Sequence, residues 1–346
     1  MKMSVMRASR RSISGLTPAA AAALSAAAVL TLSACGDGSS GTVTEDGRLR
    51  VTASFYPMQF LAEEIGGRHA EVSTLTKPGT EPHDLELSPR QTGELSDAGL
   101  IVYLKDMQPA VDEAIEQSGA EHVVEASEFT SLEKHGGDED GEHGEHGEHE
   151  EDAGHAGEEA DGGHEGHDHG GEDGGDPHIW LDPVRYAEVA EGVGKAMAKA
   201  DPDHAAAYEK NAAELADRLR KLDGRFAAGL ENRRTDTFIT THAAFGYIAD
   251  RYGLVQESIK GLSPESEPSA ARMKQLQDIA EDDGVTTVFF ETLVSDKTAR
   301  TLAGDLDLRT DVLDPIEGVT DKSKGDDYFE IMEANLGALQ QALGAK

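Results

Sequence analysis

The sequence predicts an α/β protein with two similar βα lobes, mainly parallel sheets and a long helical connection between them. Short apolar segments alternate with helical segments from residue 48 onward, which is typical of parallel βαβ units. The same alternation begins again near residue 237. Between the two series, residues 187–230 show helical periodicity without a strand signal, so we expect a long, rigid helix to join the lobes.

The first series is predicted to form an N-terminal lobe, residues 48–186. Residues 48–55, RLRVTASF, have the alternation and β-branched content of a strand. Pro57 then starts a helix that is expected to stop at Gly66 and Gly67. Further strands are predicted at residues 71–75, 100–104 and 122–125, with helices at 88–97 and 108–117.

The second series is predicted to form a C-terminal lobe, residues 231–346. Its strands are expected at residues 237–240, 255–259, 286–290 and 310–313. Its helices are expected at residues 244–252, 269–281, 297–306 and 328–343. In the linking region, apolar residues recur every three to four positions at Leu215, Leu219, Leu222 and Phe226. A helix with this pattern would act as a strut between the lobes.

Residues 1–34 have the composition of an export signal. Basic residues precede an apolar run over 19–32, which is short for a membrane-spanning helix. The run ends in Leu-Ser-Ala-Cys, and Cys35 is the only cysteine, so no intrachain disulfide can form. This order resembles a bacterial lipobox, which implies lipidation of Cys35. A transmembrane anchor is the alternative, but the short run argues against it. Residues 35–47 are predicted to be a flexible tether.

Residues 133–176 are predicted to be a disordered insert in the N-terminal lobe. They carry 18 acidic residues, 14 glycines and one lysine, too few apolar side chains to offset the entropy of ordering. About half of the chain's net charge of -36 lies here, and this acidity excludes nucleic acid as a partner. Weak metal binding or plain solvation is expected for its histidines: His143, His146, His149, His155, His164, His167 and His169.

Three histidines outside this tract stand in segments with predicted order. His83 follows Pro82 in a loop, His178 lies beside the only tryptophan, and His242 ends the strand segment TFITTH. Open α/β sheets bind ligands at the carboxyl ends of their strands. If the fold brings these imidazoles together, their nitrogen donors suit zinc better than magnesium, calcium or manganese.

Four ordered motifs resemble the metal-binding solute receptors of ABC importers, and the ZnuA-like zinc branch most closely. They are SFYP at 54–57, GTEPHDLELSP at 79–89, HIWLDP at 178–183, and THAAFGY at 241–247 with YGL at 252–254. The resemblance covers residues 48–345 and implies a cleft between the lobes with Zn²⁺, the transported ligand, at its bottom. It also implies a monomer, lipid-anchored on the outer face of the cell membrane, which serves a permease and its ATPase subunit.

The resemblance also implies which residues hold the metal. The implied nitrogen ligands are His83, His178 and His242. Similar manganese receptors generally carry a carboxylate at the position of His242, so the histidine favours zinc. Glu291, at the end of the strand segment TTVFFE, is the predicted fourth ligand. Glu81, Asp314 and water are the alternatives.

Two classes of function fit three histidines, a non-enzymatic zinc receptor and a mononuclear zinc hydrolase. A hydrolase needs a general base beside an open coordination position. The sequence contains neither an HExxH helix motif nor a nucleophile elbow. We therefore predict a receptor and no enzyme. A manganese or iron receptor of the same family, or a surface lipoprotein that sequesters zinc, remains as an alternative.

Overall fold

The computed structural model describes residues 42–135 and 175–346. The N-terminal lobe contains a four-stranded parallel sheet. Its strands are β1 (Leu49–Ala53), β2 (Ala70–Thr74), β3 (Leu100–Tyr103) and β4 (Val123–Glu125). They lie in the order β2-β1-β3-β4. Helices α1 (Tyr56–Gly66), α2 (Pro89–Ser96) and α3 (Pro109–Ser118) connect them. The predicted βαβ alternation is confirmed.

The helical connection predicted for residues 187–230 consists of two helices, α4 (Pro183–Ala200) and α5 (Ala205–Gly229). A 3-10 turn, Pro202–His204, separates them, because a proline has no backbone N–H and its ring clashes with a continuing helix. The long helix is α5, with 25 residues. Its regularly spaced apolar side chains, Leu215, Leu219, Leu222 and Phe226, are all buried, as the 3.6-residue period predicts.

The C-terminal lobe repeats the sheet of the N-terminal lobe. Its strands are β5 (Thr237–Thr240), β6 (Val255–Ser258), β7 (Thr287–Phe290) and β8 (Arg309–Val312). They lie parallel in the order β6-β5-β7-β8. Its helices are α6 (Gly246–Tyr252), α7 (Ala270–Asp282), α8 (Lys297–Asp305) and α9 (Tyr328–Leu343). Because α5 packs against both α1 and α9, it contacts both lobes.

Trp180 joins the two lobes below the cleft. Its side chain is completely buried, and its indole N–H donates to the carbonyl of Pro315 at 2.7 Å. The hydroxyl of Tyr328 in turn donates to the carbonyl of Trp180 at 2.7 Å. Buried aromatic side chains supply large apolar area while their polar tips find partners, so this contact fixes the segment that carries His178.

Both edges of the segment predicted as an insert, residues 133–135 and 175–176, are among the described residues. The N–H of Asp176 donates to the carbonyl of Glu133 at 2.7 Å, and Asp176 is buried whereas Glu133 is exposed. Cys35 and the predicted signal segment lie outside the described residues. So do the insert histidines His143, His146, His149, His155, His164, His167 and His169. Among the helices that the structure describes, none is both long and apolar enough to cross a membrane.

Candidate metal centre

Four side chains converge between the lobes: His83, His178, His242 and Glu317. One donor atom from each lies within 4.8 Å of the other three. Nε2 of each histidine is 3.4 Å from the same atom, Oε1 of Glu317. Nε2 of His178 is also 3.4 Å from Nε2 of His242. The structure therefore brings together the three predicted histidines and adds a carboxylate that the sequence reading did not select.

These separations fit a tetrahedral zinc ion. Zinc–nitrogen and zinc–oxygen bonds of about 2.0–2.1 Å place neighbouring donors roughly 3.3–3.4 Å apart in a tetrahedron. Buried polar atoms normally have a hydrogen-bond partner. Nε2 of His83 and Oε1 of Glu317 are buried without one among the described residues. A divalent cation at the centre of the four donors would satisfy both atoms.

His83 lies on the loop between β2 and α2, where side chains from elsewhere in the lobe hold the backbone. The carboxylate of Glu81 accepts the N–H of His83 at 3.1 Å. The buried amide of Gln108 donates to the carbonyl of Pro82 at 3.2 Å and to the hydroxyl of Thr76 at 2.9 Å. The His83 side chain is 12% exposed, whereas the other three converging side chains are fully or almost fully buried. His83 thus lies at the solvent side of the site.

His178 lies just before the 3-10 turn Ile179–Leu181 that leads into α4. Oδ1 of Asp176 accepts the N–H of His178 at 2.9 Å and lies 2.6 Å from its Nδ1. Burial alone would lower the pKa of His178, but the Asp176 carboxylate opposes this effect and the pKa is raised overall. A carboxylate on Nδ1 keeps the proton on that nitrogen and leaves Nε2 for a metal.

His242 lies two residues after the end of β5 and is completely buried. Its Nδ1 lies 2.7 Å from Oε1 of Glu291, and the hydroxyl of Thr241 donates to the same oxygen. Burial would lower the pKa of His242, but the carboxylates of Glu291 and Glu317 outweigh it and raise the pKa to about 10. In the metal-free protein a proton is therefore held at this imidazole, and a metal must displace it.

Glu317 follows β8 in the segment Asp314-Pro315-Ile316-Glu317. Ile316 has a φ of +58°, a left-handed conformation that is rare for a β-branched residue and persists only where the surrounding structure holds it. The carboxylate of Asp314 stabilises this turn by accepting the N–H of Ile316 at 2.9 Å. Burial alone would raise the pKa of Glu317, but the three histidines lower it well below its usual range. The carboxylate is therefore held in its charged form.

The structure does not place Glu291, Glu81 or Asp314 in the group of four. Glu291 faces Nδ1 of His242, the ring nitrogen opposite the one that points at Glu317. Glu81 binds backbone N–H groups, and Asp314 caps the turn before Glu317. The sequence did contain a signal that could have identified Glu317, because its segment follows β8 at the same edge of the sheet as His242. The sequence alone could not show that the turn at Ile316 carries the chain back to the histidines.

Comparisons with known proteins identify the family to which the chain belongs. The family described as ZnuA, zinc-uptake complex component A, periplasmic, matches residues 51–342. The high-affinity zinc uptake system protein ZnuA of Bacillus subtilis is 35% identical over 326 residues, 93% of this chain and 96% of the relative. The zinc-binding lipoprotein AdcA of Streptococcus pneumoniae is 34% identical over 305 residues, 86% of this chain. The match spans only 56% of AdcA's own length.

A solved structure of part of AdcA resembles the whole described fold. The Zn(II)-bound ZnuA-like domain of Streptococcus pneumoniae AdcA superposes with a TM-score of 0.66 and 31% identity, over 86% of this chain and 99% of that domain. The family match covers both lobes and all four converging side chains. The chain belongs to the ZnuA family of zinc-uptake complex components.

Proposed function

We propose that this protein captures Zn²⁺ outside the cytoplasm and delivers it to the permease of an ABC importer. The observation that carries the proposal is the group of three Nε2 atoms, each 3.4 Å from one oxygen of Glu317. Three imidazole nitrogens and one carboxylate oxygen form a ligand set that binds zinc in preference to harder cations. Two ligands come from each lobe, so a bound ion would hold the cleft closed.

The four protein donors also favour a receptor over the hydrolase alternative. A catalytic zinc site keeps a position open for water or substrate, whereas a site with four protein ligands is closed. Without thiolates, the site can still release its ion, because imidazole and carboxylate donors bind zinc less permanently than cysteine does. Reversible capture is what a delivery protein needs.

Relatives named lipoproteins support an anchor at Cys35. A single acyl chain binds a membrane only marginally, whereas the two chains of a diacylglyceryl group anchor stably. We infer that Cys35 carries this group and that the protein stays on the outer face of the cell membrane beside its permease and ATPase subunit. Cys35→Ser should leave zinc affinity unchanged and release the protein from the membrane fraction. Retention of a processed Cys35→Ser protein in that fraction would refute the anchor.

Metal competition tests the central function. Metal-free protein lacking residues 1–34 should bind one Zn²⁺ tightly, and an excess of Mn²⁺ should fail to displace it. His242→Glu should shift preference towards manganese, because a hard oxygen replaces a nitrogen donor. The matched control is His204→Glu, because His204 lies in the turn between α4 and α5 and is not one of the four converging residues. An unchanged zinc-to-manganese preference in His242→Glu would remove His242 from the ligand set.

A further inference from the structure

His135 lies between two carboxylates at the base of the predicted insert. Its Nδ1 is 2.7 Å from Oδ2 of Asp176, and its Nε2 is 2.9 Å from Oδ2 of Asp250 on α6. Its side chain is only 13% exposed. Because both ring nitrogens face carboxylate oxygens, both are placed to donate, as the charged imidazolium does. Burial would lower the pKa of His135, but the two carboxylates outweigh it and raise the pKa.

Both carboxylate oxygens of Asp176 make contacts, and Oδ1 contacts His178 of the candidate metal centre. Oδ2 contacts His135, while Oδ1 accepts the N–H of His178 and lies 2.6 Å from its Nδ1. The Asp176 side chain is fully buried. A continuous chain of contacts therefore runs from the surface at Asp250 through His135 and Asp176 to His178.

The fold makes room for this imidazole. Its ring stands edge-on to Tyr247 at 4.6 Å between centroids, and a Cβ added to Gly246 would come within 2.4 Å of its Cγ. The hydroxyl of Tyr247 also donates to the carbonyl of Asp176 at 2.7 Å and accepts the N–H of Glu133 at 2.9 Å. Tyr247 therefore packs against the ring of His135 and also binds the backbone of Asp176 beside it. The glycine at 246 allows a contact that any side chain would block.

We propose that His135 is a positioning residue of the metal centre, which orients the Asp176 carboxylate so that His178 presents Nε2 to the ion. The proposal rests on the zinc-binding function proposed above. It adds one link to the general rule that metal-binding histidines are oriented by a carboxylate on their other nitrogen. Here that carboxylate is itself oriented, by a second histidine from the opposite end of the insert.

Removing His135 would leave Oδ2 of a buried carboxylate without its partner. An uncompensated buried charge is unfavourable, so the Asp176 carboxylate would turn away from His178 towards another partner. This movement would loosen His178. Mutation of groups that orient metal ligands typically lowers metal affinity 10–100-fold. Because His135 acts through Asp176, we expect the lower end, about tenfold.

The first experiment measures zinc dissociation constants by chelator competition on the exported protein with the whole insert present. His135→Leu removes both donors at similar volume and should weaken zinc binding about tenfold. His135→Gln keeps one amide donor and should recover part of the affinity. His204→Leu is the matched control, because His204 makes the same kind of contact with Asp201, 2.8 Å, away from the cleft. Its zinc affinity should equal that of the unmodified protein.

A double-mutant cycle then separates positioning from general packing. If His135 acts through Asp176, His135→Leu should have no further effect on zinc affinity in an Asp176→Asn background. In the zinc-loaded protein, the NMR resonance of the His178 Nδ1–H should shift in His135→Leu and stay in place in His204→Leu. Equal losses in both backgrounds, or an unmoved resonance, would overturn the proposal.

The outcomes for His135 and for the function are distinguishable. If the unmodified protein failed to bind zinc tightly, the proposed function would fall. If it bound zinc tightly and His135→Leu did so equally well, only the positioning role would fall. Should His135→Leu not fold, Asp250→Asn takes its place, because Asp250 is 69% exposed and outside the core. That variant should show a smaller loss than Asp176→Asn, and an affinity equal to the unmodified protein would overturn the chain of contacts.

Discussion

The two lobes share one sheet order but hold the residues of the candidate metal centre in different ways. In the C-terminal lobe, His242 and Glu317 follow β5 and β8 and are fully or almost fully buried. In the N-terminal lobe, His83 lies on a long loop and His178 precedes a helix, so neither is fixed by a strand end. Instead, Gln108 donates to the carbonyl of Pro82 beside His83, and Asp176 accepts the N–H of His178. The comparison separates a half-site that follows strand ends from a half-site held by side-chain hydrogen bonds, in which His83 is more exposed than His178.

The largest effect is expected from removing a buried ligand. His242→Ala should weaken zinc binding by at least about 100-fold, because it deletes a donor and leaves Glu291 facing a cavity. His83→Ala should cost less, since water can reach the more exposed position and complete four-coordination. Chelator competition measures both constants. Equal losses for the two variants would break the contrast between the lobes.

Of the two carboxylates in the C-terminal lobe, we expect Glu317 to bind the metal and Glu291 to orient His242. Glu317→Gln should weaken zinc binding more than Glu291→Gln, because only Glu317 faces all three Nε2 atoms. For Glu291→Gln we expect a loss of roughly 10–100-fold, typical of a group that orients a ligand. Isothermal titration with a competing chelator measures the pair. The reverse order would restore Glu291 as the fourth ligand.

Zinc affinity should fall as the pH is lowered, and the fall should begin above the ordinary histidine pKa of about 6.5. The metal-free protein holds protons on His242, whose pKa is about 10, and on His178, whose pKa is also raised. Zinc must displace them, so the metal-free state binds more protons than the zinc state. Affinity should change about tenfold per pH unit for each proton released.

Calorimetry in buffers of different ionisation enthalpy counts the released protons. Glu291→Gln is the matched variant, because it removes the largest charge that raises the pKa of His242. Its zinc affinity should depend less steeply on pH. A dissociation constant that stays the same from roughly pH 6 to pH 8 would contradict the assigned protonation.

The smallest effect is expected at Gln108. Gln108→Leu removes the amide that donates to Pro82 and Thr76. Because the Pro82 carbonyl still accepts the N–H of Leu85 and the Thr76 hydroxyl still donates to Ser54, we expect a cost of only about 1 kcal/mol per lost hydrogen bond in the free energy of unfolding. Zinc should dissociate a few times faster, because the loop with His83 is held less firmly. Stopped-flow release to a chelator measures the rate, and Gln117→Leu on the exposed side of α3 is the control. Identical release rates would show that the loop needs no support.

Local sequence patterns were sufficient to predict most strands and helices of the fold. The strand at Thr237–Thr240 and the helix at Tyr328–Leu343 have the predicted bounds, because alternation and helical periodicity are encoded in neighbouring residues. The break at Pro202 lies within a region predicted as one helix. Helical periodicity on both sides of Pro202 predicted a continuous helix, although a proline is a local signal for a helix break.

The site was only partly predictable for a different reason. His83, His178 and His242 stand in recognisable motifs, but the position of Glu317 depends on a left-handed residue, Ile316, that turns the chain back. His135 was hidden by the composition of its surroundings, since an acidic, glycine-rich tract predicts no packing. Its role depends on contacts across the lobes that no local pattern encodes.

A crystal structure of the zinc-loaded protein, with diffraction measured on both sides of the zinc absorption edge, tests the central claim most directly. We predict one strong anomalous peak in the cleft, about 2.0–2.1 Å from Nε2 of His83, His178 and His242 and from an oxygen of Glu317. Glu291 should remain on Nδ1 of His242. A peak bound by Glu291 in place of Glu317, or no peak among the three histidines, would contradict this account.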